Sequence, residues 1–467
     1  MRHTKIVATI GPASDSPEVL DAMLAAGVDV ARLNASHGDP DSLQRRLHAI
    51  RDAAGRAGRE IAVMLDLSGP KLRIGRMSDG VVLVPGGRFE LRGRECMGDA
   101  TCACVSYKGL PDDLSPGDVV LLDDGRIQLR VTGTEDGRLM TTVEVGGPLT
   151  SNKGVNVPGV TLGLDAITGK DRADLAWGLA AGVDLVAMSF VRSAADIARL
   201  RELMGSHGVP VVAKVEKHEA VDLMDEIVAA ADVVMVARGD LGVETSPEAV
   251  PVVQKRLIIA CRDAGKPVII ATQMLESMIS SPHPTRAEAS DVANAIFDSA
   301  DAVMLSGETA IGAYPAESVR TMARIAETAE ASMEFTFVDE PRGRHSLDVT
   351  EAVSAAVVEL ASDLGVRAIL TSTQSGATAR AVAKHRPGAP ILAITPELGV
   401  ARHLRVVWGV EPLHVRASES IEDMVALAVN AAREHGLVDR GDLVAITAGV
   451  AINMPGSTNL IQVRTVP

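Results

Sequence analysis

The sequence predicts an α/β protein whose largest domain is a (β/α)8 TIM barrel, a closed ring of eight parallel strands with helices outside. Eight short apolar runs recur along the chain, and segments with helical spacing of apolar residues separate most of them. This alternation of strand and helix is the pattern of a parallel barrel. The runs begin at Lys5, Val28, Ile61, Val183, Val211, Val233, Val268 and Ala302.

The interval between the third and fourth runs is too long for one strand–helix unit and indicates an inserted domain. From about Lys71 to Pro158 helical periodicity is absent, and short strand-like segments alternate with Pro-Gly, Gly-Gly and Asp-Gly turns. We therefore predict a small all-β domain over residues 71–158. Because it enters and leaves at the end of the third strand, we expect it to lie over the barrel mouth as a lid.

A third domain is predicted after the barrel. Helix-like sequence to about Glu334 leads to a polar stretch, residues 339–348, that we interpret as a linker. Five strand-like runs follow, near residues 367–372, 390–395, 410–415, 443–449 and 459–466. The predicted organisation is a barrel from residues 1–70 and 159–340, the lid from 71–158, and a C-terminal α/β domain from 341–467.

Composition narrows the class of function. A formal net charge of −15 argues against a general nucleic-acid binder, although local cations can still hold a small anionic substrate. No apolar run is long enough to span a bilayer and no signal segment is recognisable, so we expect a cytoplasmic protein with no membrane partner. The four cysteines match no zinc-binding spacing.

Polar residues end every predicted barrel strand. Active sites of such barrels lie at the carboxyl ends of the strands, so these side chains are expected to share one rim. Lys214 and Glu216 are two residues apart in a strand and so face the same way, while Asp240 ends the next strand. These three residues suggest a divalent cation beside a fixed positive charge, and a salt-bridge cluster that closes the barrel is the alternative. Arg32 would add a second cation where a phosphoryl group could pass.

Long segments of the chain resemble the pyruvate kinase family. They cover essentially the whole length in the same order: TKIVATIGPAS, ARLNASHG, DLSGPKLR, SNKGVNVPG, AKVEKHEA, MVARGDLGVE, ATQMLESM, HPTRAEASDVANAIFDSADAVMLSGETA and PGSTN. The resemblance implies transfer of the phosphoryl group of phosphoenolpyruvate to ADP, which gives pyruvate and ATP. It also implies a dependence on Mg²⁺ or Mn²⁺ and assembly as a homotetramer.

The resemblance assigns roles to individual residues on the substrate side. Lys214 would stabilise the migrating phosphoryl group and the enolate oxygen, and Arg32 would hold the phosphate. Glu216 and Asp240 would ligate the divalent metal. Gly239, Asp240 and Thr272 would meet the substrate carboxylate, and Thr272 with Ser306 would protonate the enolate. Helix capping is the alternative role for Thr272 and Ser306.

The nucleotide side and the monovalent cation are assigned in the same way. The residues that match the nucleotide site are Asn34, Ala35, Ser36, His37, Arg73 and Lys153. Many family members use K⁺ near the positions of Asn34, Ser36 and Asp66 and carry an acid where this chain has Lys71. Leu67 and Ile74 accompany Lys71, as in the K⁺-independent branch, so we predict activity without K⁺.

The C-terminal domain resembles the family's effector-binding domain. The loop candidate, rich in hydroxyl groups and followed by a helix start, comprises Thr371, Ser372, Thr373, Ser375 and Gly376. We expect a phosphorylated allosteric effector whose identity stays open, and the alternative is an ordinary strand-to-helix turn.

Two other functions are weighed against the kinase. A Mg²⁺-dependent enolate lyase or aldolase would use a similar acid pair on a TIM barrel, but the lid, Lys214 and the nucleotide-side segments disfavour it. A catalytically inactive sensor would use only the C-terminal domain, but the complete set of strand-end residues disfavours it.

Overall fold

A computed structural model describes residues 2–333, 348–449 and 458–467. The predicted linker at residues 339–348 lies outside the described residues apart from Asp348. The predicted limits of the three domains stay predictions, whereas the strands that define each domain are described below.

The predicted barrel is confirmed, and every one of the eight apolar runs forms one of its strands. Each strand pairs in parallel with the strands before and after it in the chain, and the eighth pairs with the first. The runs are continuously apolar because helices cover the sheet outside and side chains fill it inside, so both faces are buried. The barrel strands are Lys5–Thr9, Val30–Asn34, Ala62–Asp66, Leu185–Met188, Val211–Val215, Val233–Ala237, Val268–Ala271 and Ala302–Leu305.

Helices surround the barrel. Their starts follow local capping chemistry, as at Thr285, whose hydroxyl accepts from the Glu288 N–H while the Glu288 carboxylate accepts from the Thr285 N–H. The longer helices are Pro17–Ala25, Pro40–Ala57, Gly169–Ala181, Ala194–Met204, Met224–Ala230, Val250–Asp263, Arg286–Phe297 and Pro315–Ala331. Short helical turns follow several strands: His218–Asp222, Arg238–Glu244, Glu276–Ile279 and Gly307–Ala310.

The insert folds as predicted into a small β domain with a core of its own. A six-stranded sheet and a two-stranded sheet carry it, with one helical turn at Leu110–Asp113. Four of its strands have three residues or fewer, which is too short to show an alternation of apolar and polar residues in the sequence. The strands are Val82–Leu83, Arg88–Arg92, Cys102–Cys104, Val119–Leu122, Ile127–Glu135, Arg138–Val145, Gly147–Pro148 and Val155–Asn156.

The C-terminal domain is a five-stranded sheet flanked by helices, and all five predicted strands are confirmed. Four strands are parallel and the last, at one edge, is antiparallel. In sheet order they are Val410–His414, Ile391–Thr395, Ala368–Ser372, Leu443–Ala448 and Leu460–Thr465. The helices are Val349–Leu364, Ala377–Lys384, Leu398–His403, Leu404–Val406 and Ile421–Glu434.

The C-terminal domain closes the amino end of the barrel. Inward-facing barrel side chains such as Val7 and Met64 belong to one buried cluster with Val357 and Val406 of the C-terminal domain. Arg386 of this domain also forms an ion pair with Asp301 at 3.0 Å. The opposite end of the barrel, where the strands finish, carries the polar side chains described below. In the described part of the chain no helix is both long and apolar enough to cross a membrane.

Candidate active site

Lys214 lies at the centre of the polar side chains that end the barrel strands. Its ammonium donates to Ser189 Oγ at 2.6 Å and forms ion pairs with Asp66 Oδ1 at 3.2 Å and Glu216 Oε1 at 3.0 Å. Asp66 ends the third strand, and Ser189 and Glu216 directly follow the fourth and fifth, so three neighbouring strands of the barrel bring the partners together. Lys214 is 8% exposed and Asp66 and Glu216 are 1% exposed, so these charges are held largely out of water.

Asp66 joins Lys214 to a second cation. Its Oδ2 atom accepts from Arg32 Nε at 2.6 Å, and Arg32 Nη2 lies at 2.6 Å from the same oxygen. Arg32 Nη1 also donates to Thr9 Oγ1 at 3.0 Å, which fixes the plane of the guanidinium. One carboxylate therefore orients both cations that were predicted to face a phosphoryl group. The sequence placed Asp66 among the polar strand-end residues and in the monovalent-cation region, but it did not predict that this carboxylate binds both cations.

Burial and neighbouring charges shift the pKa values of the three charged groups at this centre in different directions. Burial alone would lower the pKa of Lys214, but Asp66 and Glu216 outweigh it and raise that pKa, so the ammonium stays charged. Burial also opposes ionisation of Asp66, yet the charges of Lys214 and Arg32 lower its pKa. Glu216 differs, because burial and the nearby Asp240 charge raise its pKa in spite of Lys214.

Glu216 and Asp240 face a common region and repel one another. Glu216 Oε2 accepts from the Phe190 N–H at 2.8 Å, and Asp240 sits in the first turn of the helix Arg238–Glu244. No group of three or more His, Cys, Asp or Glu side chains able to hold a metal exists among the described residues. A cation here would therefore have two carboxylate ligands and open positions. This donor set fits a hard divalent ion, whose charge would relieve the repulsion that raises the pKa of Glu216.

Lys71 lies against Asp240, one of these two carboxylates. Its ammonium forms an ion pair with Asp240 Oδ1 at 3.2 Å, with both side chains partly exposed. The predicted monovalent-cation residues Asn34 and Ser36 are engaged with each other, since the Ser36 N–H donates to Asn34 Oδ1 at 3.0 Å. Leu67 is buried behind the rim at 3% exposed.

Thr272 adopts an unusual backbone conformation at the rim. Its φ is 70°, in the left-handed region that a β-branched residue rarely enters, and that of Gln273 is 56°. This geometry lets the Thr272 hydroxyl accept from the Gly239 N–H at 2.8 Å and donate to the Ala271 carbonyl at 2.6 Å. The Gly239 N–H, predicted to meet the substrate carboxylate, is thus already bonded to a predicted catalytic hydroxyl.

Ser306 is placed differently from Thr272. Its N–H donates to Glu308 Oε2 at 2.7 Å, but its hydroxyl is buried and has no hydrogen-bond partner in the described chain. A buried polar atom without a partner costs free energy, so such an atom at a barrel mouth marks a position where substrate or water completes the bonding. It does not cap a helix through its side chain.

The nucleotide-side residues come from two places: Asn34 ends the second barrel strand and Ala35, Ser36 and His37 follow it, whereas Arg73 and Lys153 belong to the lid. The pKa of His37 is lowered by burial and by the charges of Arg73, Arg32 and Lys71, so this histidine is neutral beside a group of cations. Arg73 Nη1 donates to the Asn152 carbonyl at 3.0 Å. The Ala35 carbonyl accepts from Lys170 at 2.7 Å, and Lys170 was not singled out from the sequence.

Lys153 does not reach the barrel centre. Its ammonium forms an ion pair at 2.7 Å with Asp123 of the lid. The lid instead contacts the barrel through Asn156, which donates to Glu244 Oε1 at 2.8 Å, and Lys217 binds the same oxygen at 3.0 Å. Nothing in the sequence pattern singled out this contact, because its three members come from segments distant in the chain.

Two charged residues at the strand ends, Arg238 and Glu308, stabilise the backbone around the site. Arg238 forms an ion pair with Asp291 at 2.8 Å and donates to the Thr272 carbonyl at 2.8 Å, which supports the unusual turn there. Glu308 accepts from the Leu275 and Ser306 N–H groups at 3.1 and 2.7 Å. Some polar residues at the strand ends therefore face the candidate active site, whereas others stabilise the turns around it. Their hydrogen bonds and ion pairs in the structure distinguish the two groups.

The effector loop candidate lies at the carboxyl edge of the C-terminal sheet. Gly376 has a φ of 80° and precedes the helix Ala377–Lys384, and its N–H donates to Thr373 Oγ1 at 2.9 Å. Thr371 is fully buried, and its hydroxyl has no hydrogen-bond partner in the described chain. Ser372 and Ser375 are more exposed.

The fold and the strand-end centre define a class: a TIM-barrel enzyme with a buried lysine–carboxylate centre, a β lid and a C-terminal α/β domain. Comparison with known proteins gives the family. Residues 1–319 match the model of the pyruvate kinase barrel domain, and residues 351–464 match that of the pyruvate kinase alpha/beta domain.

Relatives of known identity agree along the whole chain. The pyruvate kinase of Geobacillus stearothermophilus is 49% identical over 100% of this chain and 80% of its own length. That of Clostridium acetobutylicum is 42% identical over 100% of both chains, and pyruvate kinase 2 of a Synechocystis strain is 47% identical over 100% of this chain and 79% of its own. The chain belongs to the pyruvate kinase family. It is a phosphotransferase, which moves the phosphoryl group of phosphoenolpyruvate to ADP, and the lyase alternative is not favoured.

Replacing Asp66 tests its hold on the two cations. In Asp66→Asn we expect kcat to fall roughly 10²-fold, because Lys214 and Arg32 lose the carboxylate that orients them. The pKa of Lys214 should also fall, since Asp66 raises it. The alkaline limb of the pH–kcat profile should therefore move to lower pH. The exposed Asp52→Asn is the matched control, and an Asp66→Asn enzyme with an unchanged rate and alkaline limb would contradict this role.

Proposed function

We propose that phosphoryl transfer takes place at the open end of the barrel, with Lys214 and Arg32 holding the transferring group. The observation that carries this is the position of the Lys214 ammonium, charged and buried within 3.2 Å of both Asp66 and Glu216. The bond from phosphorus to the enol oxygen breaks and a bond to the terminal phosphate oxygen of ADP forms. Lys214 then stabilises the enolate oxygen that is left behind.

Glu216 and Asp240 are proposed to hold the divalent metal, Mg²⁺ or Mn²⁺. Two carboxylates with no third carboxylate, histidine or cysteine ligand in the described chain leave positions for substrate oxygens. When bound, the ion would supply positive charge to the enolate and phosphate oxygens. Burial raises the pKa of Glu216 and the nearby Asp240 charge raises it further, and a cation bound by both carboxylates would offset the repulsion between them.

The enolate must then gain a proton at its terminal carbon to become pyruvate. We assign this proton delivery to Thr272 and Ser306, which end the seventh and eighth strands. The buried Ser306 hydroxyl without a partner and the strained Thr272 conformation support it. Gly239, Asp240 and Thr272 would receive the substrate carboxylate. The Gly239 N–H donates to Thr272 Oγ1 in the structure. It would have to donate to the substrate carboxylate instead, and the Thr272 hydroxyl would then lose this hydrogen bond.

The nucleotide is assigned to the opposite side of the centre. Several cations there surround a neutral His37, and a polyphosphate would be attracted to them. The proposed contacts are Asn34, Ala35, Ser36, His37, Arg73 and Lys153. Lys153 would have to leave Asp123 to reach a nucleotide, which we assign to closure of the lid.

Three further parts of the proposal rest on the family resemblance. We propose a homotetramer, a phosphorylated allosteric effector bound near the loop Thr371–Gly376, and a cytoplasmic location. The domain limits 1–70 with 159–340, 71–158 and 341–467 stand as proposed limits alongside them.

Initial rates of pyruvate and ATP formation distinguish phosphoryl transfer from the lyase reaction. The purified full chain with phosphoenolpyruvate and ADP should form pyruvate, measured by coupling to lactate dehydrogenase and NADH. It should form ATP in equal amount, measured by luciferase. A lyase would release pyruvate from another substrate without ADP. Formation of pyruvate that does not depend on ADP would overturn the proposal.

Mg²⁺ should stabilise the protein through Glu216 and Asp240. Ligand binding raises the melting temperature, so we expect a rise with Mg²⁺ in the wild type that is lost in Glu216→Gln and Asp240→Asn. The rise should persist in the exposed Glu248→Gln control. Because the pKa of Glu216 is raised, protons compete with the metal at higher pH than for an ordinary glutamate, so the Mg²⁺ effect should weaken as pH falls. An equal rise in all four proteins would rule out these ligands.

Activity without K⁺ is expected because Lys71 already places an ammonium beside the metal carboxylates. At constant ionic strength, exchanging K⁺ for tetramethylammonium should change kcat by less than about twofold in the wild type. In Lys71→Gln the Asp240 carboxylate loses its partner, and kcat should fall in tetramethylammonium more than in K⁺. A collapse of wild-type turnover in tetramethylammonium would show that the reasoning about Lys71 is wrong.

A further inference from the structure

Two paired segments of the chain, residues 71–74 and 153–156, join the lid to the barrel and are called here the lid neck. The Ile74 N–H donates to the Lys153 carbonyl at 2.9 Å, and an antiparallel bridge joins the two segments one residue further along. Because the segments are bonded to each other, a contact that holds one of them to the barrel also holds the other.

Both segments of the lid neck contact one helix of the barrel. Lys71, at the start of the first segment, forms an ion pair with Asp240 at 3.2 Å. Asn156, at the end of the second, donates to Glu244 Oε1 at 2.8 Å. Asp240 and Glu244 are four residues apart in the helix Arg238–Glu244, so they lie on the same face of it. The helix that carries one proposed metal ligand therefore also receives the lid.

The carboxylate of Glu244 joins this contact to a second part of the barrel. Its side chain is fully buried, and Lys217 forms an ion pair with the same oxygen, Oε1, at 3.0 Å. Lys217 directly follows Glu216, the other proposed metal ligand. The ion pair thus connects the chain after the fifth strand to the end of the helix that follows the sixth strand.

This ion pair opposes the repulsion between the two proposed metal ligands. Glu216 lies one residue before Lys217, and Asp240 lies about one helical turn before Glu244. Two carboxylates that share a site repel each other when no cation lies between them. The attraction between Lys217 and Glu244 holds together the two segments that carry these carboxylates. Contacts of this kind, one step removed from the metal, orient the ligands and strengthen binding.

Stabilisation of the fold is a poor explanation for the buried Glu244. Its second oxygen, Oε2, is buried and has no hydrogen-bond partner among the described residues. A buried carboxylate oxygen without a partner costs free energy, and replacing a buried ion pair by apolar side chains is often neutral or stabilising. The position of Glu244 between the lid neck and the two segments that carry the metal ligands instead fits a role in placing them.

We propose that Lys217 and Glu244 are positioning residues for the divalent metal, and that Asn156 extends their hold to the lid neck. The ion pair sets the separation of Glu216 and Asp240. The bond from Asn156 places the neck, which carries the two lid cations assigned to the nucleotide. This inference rests on the proposed metal site and deepens it, and metal binding to the wild type is measured first so that the two can fail separately.

Binding of Mn²⁺ to the full chain without substrates tests the ion pair, with the free ion measured by electron paramagnetic resonance. The double variant Lys217→Met/Glu244→Gln keeps the net charge and leaves no buried charge without its partner, so its Kd reports on positioning. We expect this Kd to rise roughly tenfold. Lys217→Arg, which keeps the charge, should stay within about threefold of the wild type, and the exposed Lys108→Met should not differ from it.

The single variant Lys217→Met distinguishes positioning from a simple effect of charge. Lys217 is a cation near the metal site, so removing its charge alone would tighten Mn²⁺ binding. Loss of positioning weakens binding instead, and we expect the Kd to rise. The double variant carries the same test if the single variant, with an unpaired buried Glu244, does not fold.

Asn156→Ala tests the contact with the lid neck. We expect the KM for ADP to rise roughly fivefold, because the neck loses its hydrogen bond to Glu244. The Kd for Mn²⁺ should stay within about twofold of the wild type, since the ion pair between Lys217 and Glu244 remains. The exposed Asn430→Ala is the matched control and should change neither quantity.

Two results would overturn the positioning role of the ion pair: an unchanged Kd for Mn²⁺ in the double variant, or tighter binding in Lys217→Met. An unchanged KM for ADP in Asn156→Ala would overturn the role of the lid neck. If Mn²⁺ does not bind the wild type, or binds Glu216→Gln equally well, the proposed metal site itself is wrong and this inference is wrong with it.

Discussion

The carboxylate of Asp66 is the constraint on which the active site depends. It is almost wholly buried, yet it stays ionised because Lys214 and Arg32 bind it from two sides. A buried carboxylate without such partners would take up a proton, and the two cations would then lose their common anchor. The arrangement fixes two positive charges at the barrel mouth before any substrate arrives. Fixed charge of this kind acts on a transferring phosphoryl group without the cost of reorganising solvent.

The architecture places this centre at one end of the barrel and seals the other. The C-terminal domain packs on the amino ends of the strands, where inward-facing barrel side chains join its core. The lid arises from the third strand, directly after Asp66, and touches the barrel at Glu244 through Asn156. The two ends of the eight strands therefore have different neighbours, the lid at one end and the C-terminal domain at the other.

Much of this could be predicted from the sequence, because the signals are local. Continuous apolar runs gave all eight barrel strands, and Lys214 and Glu216 share a face since strand residues alternate. Other features depend on which strands become neighbours. Asp66 belongs to the third strand and Lys214 to the fifth, so their contact depends on the order of the strands in the sheet and on its curvature across the fourth strand. The pairing of Lys71 with Asp240 likewise depends on how the lid is seated on the barrel, and that of Lys153 with Asp123 depends on the fold of the lid itself. The left-handed Thr272 has no local sequence signature.

The central claim is that the Lys214 ammonium stabilises the charge that develops as the phosphoryl group leaves the enol oxygen. Its most direct test is kcat for pyruvate formation from phosphoenolpyruvate and ADP in Lys214→Met, with the exposed Lys108→Met as the matched control. We expect kcat to fall roughly 10³-fold or more in Lys214→Met at an unchanged fold, judged by far-UV circular dichroism, and to stay unchanged in the control. A folded Lys214→Met enzyme that keeps kcat within about tenfold of the wild type would contradict it.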